Sequence, residues 1–199
     1  PGPVTVAEVA ASIGSGLAKA ALAGKVDGKV VDTSFTIAAN AQLAIVTAKD
    51  ADGLEVVRHS TAHLLAYAVK DLFPEAQVTI GPVIENGFYY DVDLGENVIS
   101  DKDFKKLESK FLEIARGKHE FSLRPVSKAD ALTLYKEENN QYKVELIENL
   151  TDGDITFCDH SNFTDLCRGG HIPNTGIIKA IKIMSVAGAY WRGDENNNQ

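Results

Sequence analysis

The stretch from Leu54 to Phe73 contains neither glycine nor proline, and its apolar side chains recur at the spacing of an α-helix. Asp50 or Asp52 can cap its start, and Pro74 cannot continue it. The predicted core-facing stripe consists of Leu54, Val57, Thr61, Leu64, Ala68 and Leu72, and another stripe carries His59, His63 and Lys70. We therefore expect a long helix against which the rest of the fold builds its core.

Short elements with turn signals precede this helix. Thr5 and Glu8 form a capping box, which predicts a short helix that the Gly14–Gly16 stretch ends. Asp27-Gly28 is a strong two-residue hairpin signal. The predicted elements are one helix and three strands: Val6–Ile13, Leu22–Val26, Lys29–Asp32 and Leu43–Thr47. The polar run 49–53 breaks the pattern, so we place a domain boundary there.

The segment after the long helix mixes strands and helices. Asn86-Gly87 marks the turn of a hairpin, and Ser100 caps a helix that ends before Gly117. The predicted elements are strands Gln77–Ile84 and Phe88–Leu94, a helix after Ser100 that buries Phe104, Leu107, Phe111 and Ile114, a strand Glu120–Val126, helices Ser127–Glu138 and Gln141–Leu150, a strand Ile155–Phe157, a glycine-rich loop Asn162–Gly176 and a closing strand Ile177–Val186. These elements predict an α+β fold with domains 1–50 and 54–199.

An acidic composition narrows the classes of function. The formal net charge is −8 over 199 residues, so the chain is a poor non-specific binder of phosphate backbones, and a nucleic-acid substrate would have to be held locally. Two cysteines do not indicate a disulfide-stabilised secreted domain. No apolar run approaches the ~20 residues that span a membrane, and the first residues do not form a signal peptide. We expect a reduced, cytoplasmic protein that does not enter a membrane.

Two pairs of side chains, each spaced four residues apart, can carry chemistry. His59 and His63 lie one turn apart on the same face of the predicted helix, where they can converge on one metal ion or one substrate. Cys167 and His171 have the same spacing in a loop, and the two glycines between them let the backbone approach a ligand. Either pair alone also suits an ordinary solvated or buried position.

Together the pairs supply three imidazoles and one thiol, and three kinds of site stay open. A tetrahedral zinc site would use His59, His63, Cys167 and His171 as ligands. A metal-free hydrolytic pocket would use the imidazoles to position and deprotonate a water molecule. A Cys/His nucleophile is the third. Asp165, two residues before Cys167, could orient a histidine or accept a hydrogen bond.

Four blocks of the sequence resemble, in the same order, the editing domain of threonyl-tRNA synthetases. They are residues 58–65 (RHSTAHLL), 80–91 (IGPVIENGFYYD), 163–173 (FTDLCRGGHIP) and 187–194 (AGAYWRGD). The first 50 or so residues resemble the TGS module, a small β-grasp unit at the start of these enzymes, with its leading strand expected to be missing. One departure is Gly170, where that family usually has proline. The resemblance therefore predicts a TGS-like domain followed by a larger editing domain with an antiparallel sheet and packed helices.

The resemblance implies a site that removes serine wrongly attached to threonine tRNA, by hydrolysis and without a metal. The implied catalytic residues are His59, His63, Cys167, His171 and Lys143, and the implied substrate-binding residues are Asp165, Tyr90 and Arg168. Lys143 would help to activate water or stabilise the oxyanion. If zinc is present after all, its ligands would be His59, His63, Cys167 and His171.

The resemblance also implies a partner, the 3′ end of tRNA(Thr) carrying serine. The sites for ATP, magnesium and zinc that ligate threonine, and the dimer interface, are expected in a class II catalytic core that the chain lacks. Two other classes of function stay open. One is a non-catalytic module that binds tRNA or another partner, and the other is a zinc-dependent freestanding editing hydrolase of the alanyl-tRNA type.

Overall fold

The computed structural model describes residues 2–196. The α-helices are α1 (Val6–Ile13), α2 (Ser15–Ala20), α3 (Ala51–Leu72), α4 (Asp101–Arg116), α5 (Lys128–Glu137) and α6 (Gln141–Glu148). The strands are β1 (Val4–Thr5), β2 (Ala21–Val26), β3 (Lys29–Val31), β4 (Thr36–Ile37), β5 (Leu43–Thr47), β6 (Gln77–Val78), β7 (Val83–Ile84), β8 (Gly87–Phe88), β9 (Val92–Asp93), β10 (Ser122–Pro125), β11 (Thr156–His160) and β12 (Phe163–Leu166). Helices packed with small antiparallel sheets confirm the predicted α+β class.

An antiparallel sheet with strand order β3-β2-β5 forms the first part of the structure. Asp27 and Gly28 make the predicted turn between β2 and β3, with φ values of 47° and 85° that match a type I′ turn. Helix α1 keeps its capping box and lies so close to β2 that a Cβ on Gly24 would come within 2.7 Å of Val6. The predicted helix and three strands are confirmed, but α2, which begins directly after Gly14, and the short antiparallel pair β1–β4 were not predicted.

Helix α3 confirms the predicted long helix but is buried on more than one stripe. Leu54, predicted in the core, is 50% exposed, whereas His63, predicted on another stripe, is 4% exposed. The reason is that α3 contacts the first sheet, α4 and the strands β6, β7 and β8. Asp50 is the N-cap residue, but its carboxylate accepts a hydrogen bond from the backbone N–H of Thr47 rather than from the helix.

One hydrophobic core joins the first sheet to α3 and α4. Its buried members include Leu22, Ala23 and Val46 from the sheet, Val56, Leu64 and Ala68 from α3, and Phe111 and Ile114 from α4. Helix α4 begins after Ser100, its predicted N-cap residue, and the four side chains predicted on its buried side are buried. The sheet and the two helices therefore rest on the same interior.

A second antiparallel sheet has the strand order β10-β11-β12. Its last strand lies inside the segment predicted to be a glycine-rich loop, so the first part of that prediction is wrong. Asp165 obscures β12 in the sequence, because aspartate is uncommon in strands. In the ladder Asp165 lies opposite Cys158, and the strand ends one residue before Cys167.

For the remaining segments, the predicted hairpin is confirmed with an interrupted ladder and a displaced turn, and the predicted closing strand is wrong. The hairpin of residues 77–94 is divided into the pairs β6–β9 and β7–β8, with Glu85 and Asn86 at the turn, one position earlier than predicted. The predicted closing strand Ile177–Val186 is not a strand, because it runs along α4, where Glu108 accepts a hydrogen bond from the backbone N–H of Ile183. Within residues 2–196, no helix has both the length and the apolar character needed to cross a membrane.

Candidate active site

Three imidazoles converge on one thiol. The Nε2 atoms of His59, His63 and His171 lie 3.1, 3.3 and 3.2 Å from Cys167 Sγ. The ring centroids lie 4.8 to 5.2 Å from one another. The structure thus brings together two pairs of side chains that lie about 100 residues apart in the sequence. Their catalytic roles stay a prediction.

The backbone around these pairs explains why they meet. Ser60, between the two histidines of α3, donates its hydroxyl to Val56 O and accepts the backbone N–H of Ile172 at 3.0 Å, which ties the helix to the loop. Gly169 and Gly170 turn that loop with φ values of 96° and 84°, in the left-handed region that favours glycine. The loop therefore carries its cysteine and histidine back against the face of α3.

Asp165 lies beside His63 and gathers several partners. Its carboxylate lies 2.6 Å from Lys143 Nζ and accepts hydrogen bonds from the Tyr90 hydroxyl at 3.0 Å and from Leu166 N–H at 2.8 Å. His63 Nδ1 also lies 3.0 Å away, but its N–H is not well aligned, so that contact is mainly electrostatic. Burial alone would raise the pKa of Asp165, yet the charges of Lys143 and His63 hold it well below its usual range.

Lys143 is placed by the start of α6. Asn140 caps this helix by accepting the backbone N–H of Lys143 at 3.0 Å, and its amide donates to Val78 O at 2.9 Å. Both side chains are buried, with exposed fractions of 1% for Asn140 and 2% for Lys143. A lysine this deeply buried needs its carboxylate partner, which Asp165 supplies.

A cavity of about 460 Å³ opens beside the thiol. The predicted site residues that line it are His59, His63, Tyr90, Lys143, Asp165, Cys167 and Arg168. Arg168 is exposed, whereas His171 is fully buried, lies behind Cys167 and is not part of the lining. Seven of the eight predicted residues therefore face one cavity, and the eighth contacts it through the thiol.

Asp32 is a site residue that the sequence analysis missed. It follows β3 in the first sheet, and its carboxylate accepts the backbone N–H groups of Gly170 and His171 at 2.8 and 2.7 Å. Its second oxygen lies 3.2 Å from His171 Nδ1. No local signal marks this aspartate, because the contact joins residues 139 positions apart.

Comparisons with known proteins agree with this architecture. Residues 1–47 match the TGS domain, and residues 155–199 match the family described as the threonyl and alanyl tRNA synthetase second additional domain. The threonine–tRNA ligase of Flavobacterium psychrophilum is 56% identical over 196 residues, and that of Paraburkholderia phymatum is 59% identical over 198 residues. The chain belongs to the threonyl-tRNA synthetase family.

The chain spans about 30% of the length of these curated relatives, while the matches cover 98% and 99% of the chain itself. This part of the synthetase holds the TGS domain and the second additional domain. The two domain matches leave residues 48–154 unassigned, so the division into 1–50 and 54–199 stays a prediction.

The electrostatics of the cluster around Cys167 favour an ionised thiol. Burial alone would raise the pKa of Cys167, but the charge of His63 and hydrogen bonds from the three imidazoles lower it well below its ordinary value. Burial likewise opposes a charge on His63 and His171. Even so, Cys167 and Asp165 raise the pKa of His63, and the hydrogen bond to Asp32 raises the pKa of His171. These shifts favour the thiolate form of Cys167 and the charged forms of His63 and His171.

The same donor set also fits a metal ion. The ligand atoms of the three histidines and Cys167 lie within 4.8 Å of one another, and three imidazole nitrogens with one thiolate are ligands that zinc prefers. Asp165 and Asp32 contact the Nδ1 atoms of His63 and His171, as carboxylates often do beside zinc-bound histidines. The residues present would therefore hold zinc, and its presence is a matter for elemental analysis.

Proposed function

We propose that this chain hydrolyses the ester of seryl-tRNA(Thr) and spares threonyl-tRNA(Thr). The observation that carries the proposal is the convergence of three imidazoles on one thiol at the wall of a cavity of about 460 Å³. A cavity of this size lies in the range of small-molecule sites, so it has room for an aminoacyl group together with its adenosine. The match to the synthetase second additional domain supports the same conclusion.

The need for such a site follows from the small difference between the two amino acids. Threonine has one methyl group more than serine, and a hydrophobic pocket gains only about 1–3 kcal/mol from such a group, a selectivity of roughly 10–200-fold. Translation needs a higher accuracy than that. A second site that admits serine, excludes threonine and hydrolyses the wrong ester supplies the difference.

The chemistry follows from the groups on the cavity wall. A water molecule attacks the ester carbonyl, its proton passes to an imidazole, and the ribose hydroxyl leaves with a proton. His59 and His63 both line the cavity, where an imidazole in its neutral form can take the proton of the water. The Lys143 ammonium, held by Asp165, stabilises the negative charge that develops on the carbonyl oxygen.

The cavity also offers groups that hold the substrate. Tyr90 lines one part of the wall, where its ring is available to the aminoacyl group or the adenosine. Arg168 is exposed beside the thiol and supplies a local positive charge for a phosphate. With a net charge of −8, the chain depends on such local groups to bind tRNA(Thr). We further propose that ligation of threonine with ATP, and dimerisation, depend on the part of its relatives that this chain does not cover.

A zinc-assisted hydrolysis is a second candidate, because the four ligand atoms of the cluster fit the ion. Bound zinc would supply an activated water at neutral pH. Because catalytic zinc has three protein ligands and one open position, three of the four residues His59, His63, Cys167 and His171 would hold the ion and the fourth would leave room for the water. Lys143 would keep its role beside the carbonyl oxygen. Elemental analysis of the purified chain, with deacylation measured before and after chelation, separates the two candidates. Stoichiometric zinc whose removal abolishes hydrolysis would favour the second one.

The test of the proposal compares two esters on the same tRNA. Seryl-tRNA(Thr) and threonyl-tRNA(Thr) are incubated separately with a high concentration of the chain, and the loss of the radiolabelled amino acid is followed. We expect seryl-tRNA to be deacylated much faster than threonyl-tRNA. His63→Ala should remove that difference. His119→Ala is the matched control, since His119 lies outside the cavity and outside the cluster.

Each other outcome points to a different function. If neither ester is cleaved faster than in buffer, the chain is better explained as a tRNA-binding or partner-binding module. Equal cleavage of both esters would remove the proposed selectivity. Seryl-tRNA(Ala) is added as a third substrate, and its preferential cleavage would favour the alanyl type of editing hydrolase. Circular dichroism of each variant shows whether a loss of activity reflects the site or the fold.

A further inference from the structure

Both carboxylate oxygens of Asp32 contact the loop behind the thiol. One oxygen accepts the backbone N–H groups of Gly170 and His171, and the other lies 3.2 Å from His171 Nδ1. The residue is 7% exposed and lies outside the cavity, so it has no access to a substrate there. Gly170 permits this arrangement, because proline has no N–H and cannot adopt a φ of 84°.

The contact decides which nitrogen of His171 carries a permanent proton. An ionised carboxylate only accepts hydrogen bonds, so Nδ1 must donate to Asp32 whether the ring is neutral or cationic. Nε2 is then the nitrogen whose proton can be exchanged, and it faces Cys167 Sγ at 3.2 Å. Phe121 stacks on the ring with a centroid distance of 5.2 Å and an interplanar angle of 3°, which keeps the imidazole plane in place.

We propose that Asp32, in the TGS-like part of the chain, is a positioning residue of the hydrolytic site. It holds the Nδ1–H form of His171, so that Nε2 shares a proton with the thiol at the cavity wall. Asp32 acts through His171 and Cys167 rather than on the substrate. This proposal rests on the proposed function for its effect on catalysis, but the state of the imidazole can be measured without any substrate.

Asp32→Asn separates orientation of the ring from support of the loop. The amide oxygen of asparagine can still accept the N–H groups of Gly170 and His171, so the loop keeps its anchor. The amide nitrogen then faces Nδ1 and donates to it, which places the proton of the neutral ring on Nε2 instead. Asp27→Asn is the matched control, because Asp27 lies in the same sheet, accepts the N–H of Gln42 through one oxygen and is far from the site in the turn between β2 and β3.

Two measurements test the proposal on chelator-treated protein. Long-range ¹H–¹⁵N spectra of the histidine rings are recorded at a pH above the raised pKa of His171, where its ring is neutral. They should show the ring proton on Nδ1 in the wild type and on Nε2 in Asp32→Asn. Single-turnover deacylation of seryl-tRNA(Thr) should slow at saturation by about 10–100-fold, by analogy with the loss of a carboxylate partner of a metal-bound histidine, with the half-saturating concentration unchanged. Asp27→Asn should match the wild type in both measurements.

The outcomes are distinguishable. A neutral wild-type ring of His171 with its proton on Nε2 and none on Nδ1, or an Asp32→Asn variant with the wild-type ring state and rate, would overturn the proposal. A slower variant whose ring state is unchanged would do the same, because the loss would then come from another cause. If the wild type cleaves neither ester but the ring state changes as expected, the proposed function fails and the positioning of His171 by Asp32 stands.

Discussion

Replacing Lys143 by methionine tests how strongly the buried ion pair stabilises the protein. Lys143 Nζ lies 2.6 Å from Asp165 Oδ1, and the two side chains are 3% and 2% exposed. Methionine fills a similar apolar volume, so the main change is the loss of one positive charge. The Asp165 carboxylate then stays buried without its cation.

The expected loss of stability depends on the hydrogen bonds that the Asp165 carboxylate retains in the variant. Removing one partner of a buried pair costs about 3–5 kcal/mol. The Tyr90 hydroxyl and the Leu166 N–H still donate to the carboxylate, so we expect the lower end, about 3 kcal/mol. For a chain of 199 residues, each 1 kcal/mol shifts Tm by about 2–4 °C, which predicts a fall of about 6–12 °C.

Urea unfolding and thermal melting, both followed by far-UV circular dichroism, measure this loss. Lys25→Met is the matched control, because Lys25 lies 2.8 Å from Asp52 in a pair that is 40% and 33% exposed. Exposed pairs contribute little, so the control should unfold nearly like the wild type. A Lys143→Met variant as stable as the control would refute the reasoning that burial makes this pair important.

The pH dependence of the same variant gives an independent check. The pKa of Asp165 is lowered in the folded state, so its stabilising contribution is present above the unfolded pKa of about 3.9 and is lost as the pH falls towards the folded value. Without Lys143 the folded pKa of Asp165 rises. The difference in unfolding free energy between wild type and variant should therefore shrink as the solution becomes more acidic than about pH 4.

Three further predictions concern buried polar groups. Cys167→Ser should abolish the ultraviolet absorbance of the thiolate at neutral pH and Cys158→Ser should keep it, because burial raises the pKa of Cys158 to about 11. His160 is buried without a hydrogen-bond partner among residues 2–196, and burial lowers its pKa to about 3. Below about pH 6.5 only the unfolded chain takes up that proton, so lowering the pH from 7 to 5 destabilises the wild type. Urea unfolding at both pH values should show a smaller loss of unfolding free energy for His160→Phe than for the wild type. Asn140→Ala should lower the unfolding free energy by about 1–3 kcal/mol in the same assay, because it leaves Val78 O unpaired.

The local signals in the sequence predicted most of the regular elements. Asp27-Gly28 forms its turn, and the capping box at Thr5 and the N-cap residue Ser100 open the helices that they predict. These signals work because capping and tight turns depend on residues close in sequence. The exposure of Leu54 and the path of Ile177–Val186 could not be predicted, because both depend on which distant elements pack beside them.

The candidate site shows the same division. The four-residue spacings placed His59 with His63 and Cys167 with His171, and the family resemblance indicated Lys143, which lies 2.6 Å from Asp165. The four-residue spacing does not indicate how deeply each side chain is buried, so the position of His171 behind the thiol was not predicted. Asp32 was missed for a stronger reason. Its partner lies 139 residues further along the chain, and an aspartate at the end of a hairpin strand looks like any other surface residue.

The shared interior of the first sheet and the long helices has a consequence for engineering. Leu22, Ala23 and Val46 share one hydrophobic core with Leu64 and Phe111, so the interface between the first sheet and the long helices is apolar. Cutting the chain in the polar run before α3 would expose this apolar interface on both fragments. A chimera with a sheet from another protein would need a complementary apolar surface at this interface. Without that surface, the exposed apolar side chains would cause aggregation before any activity could be measured.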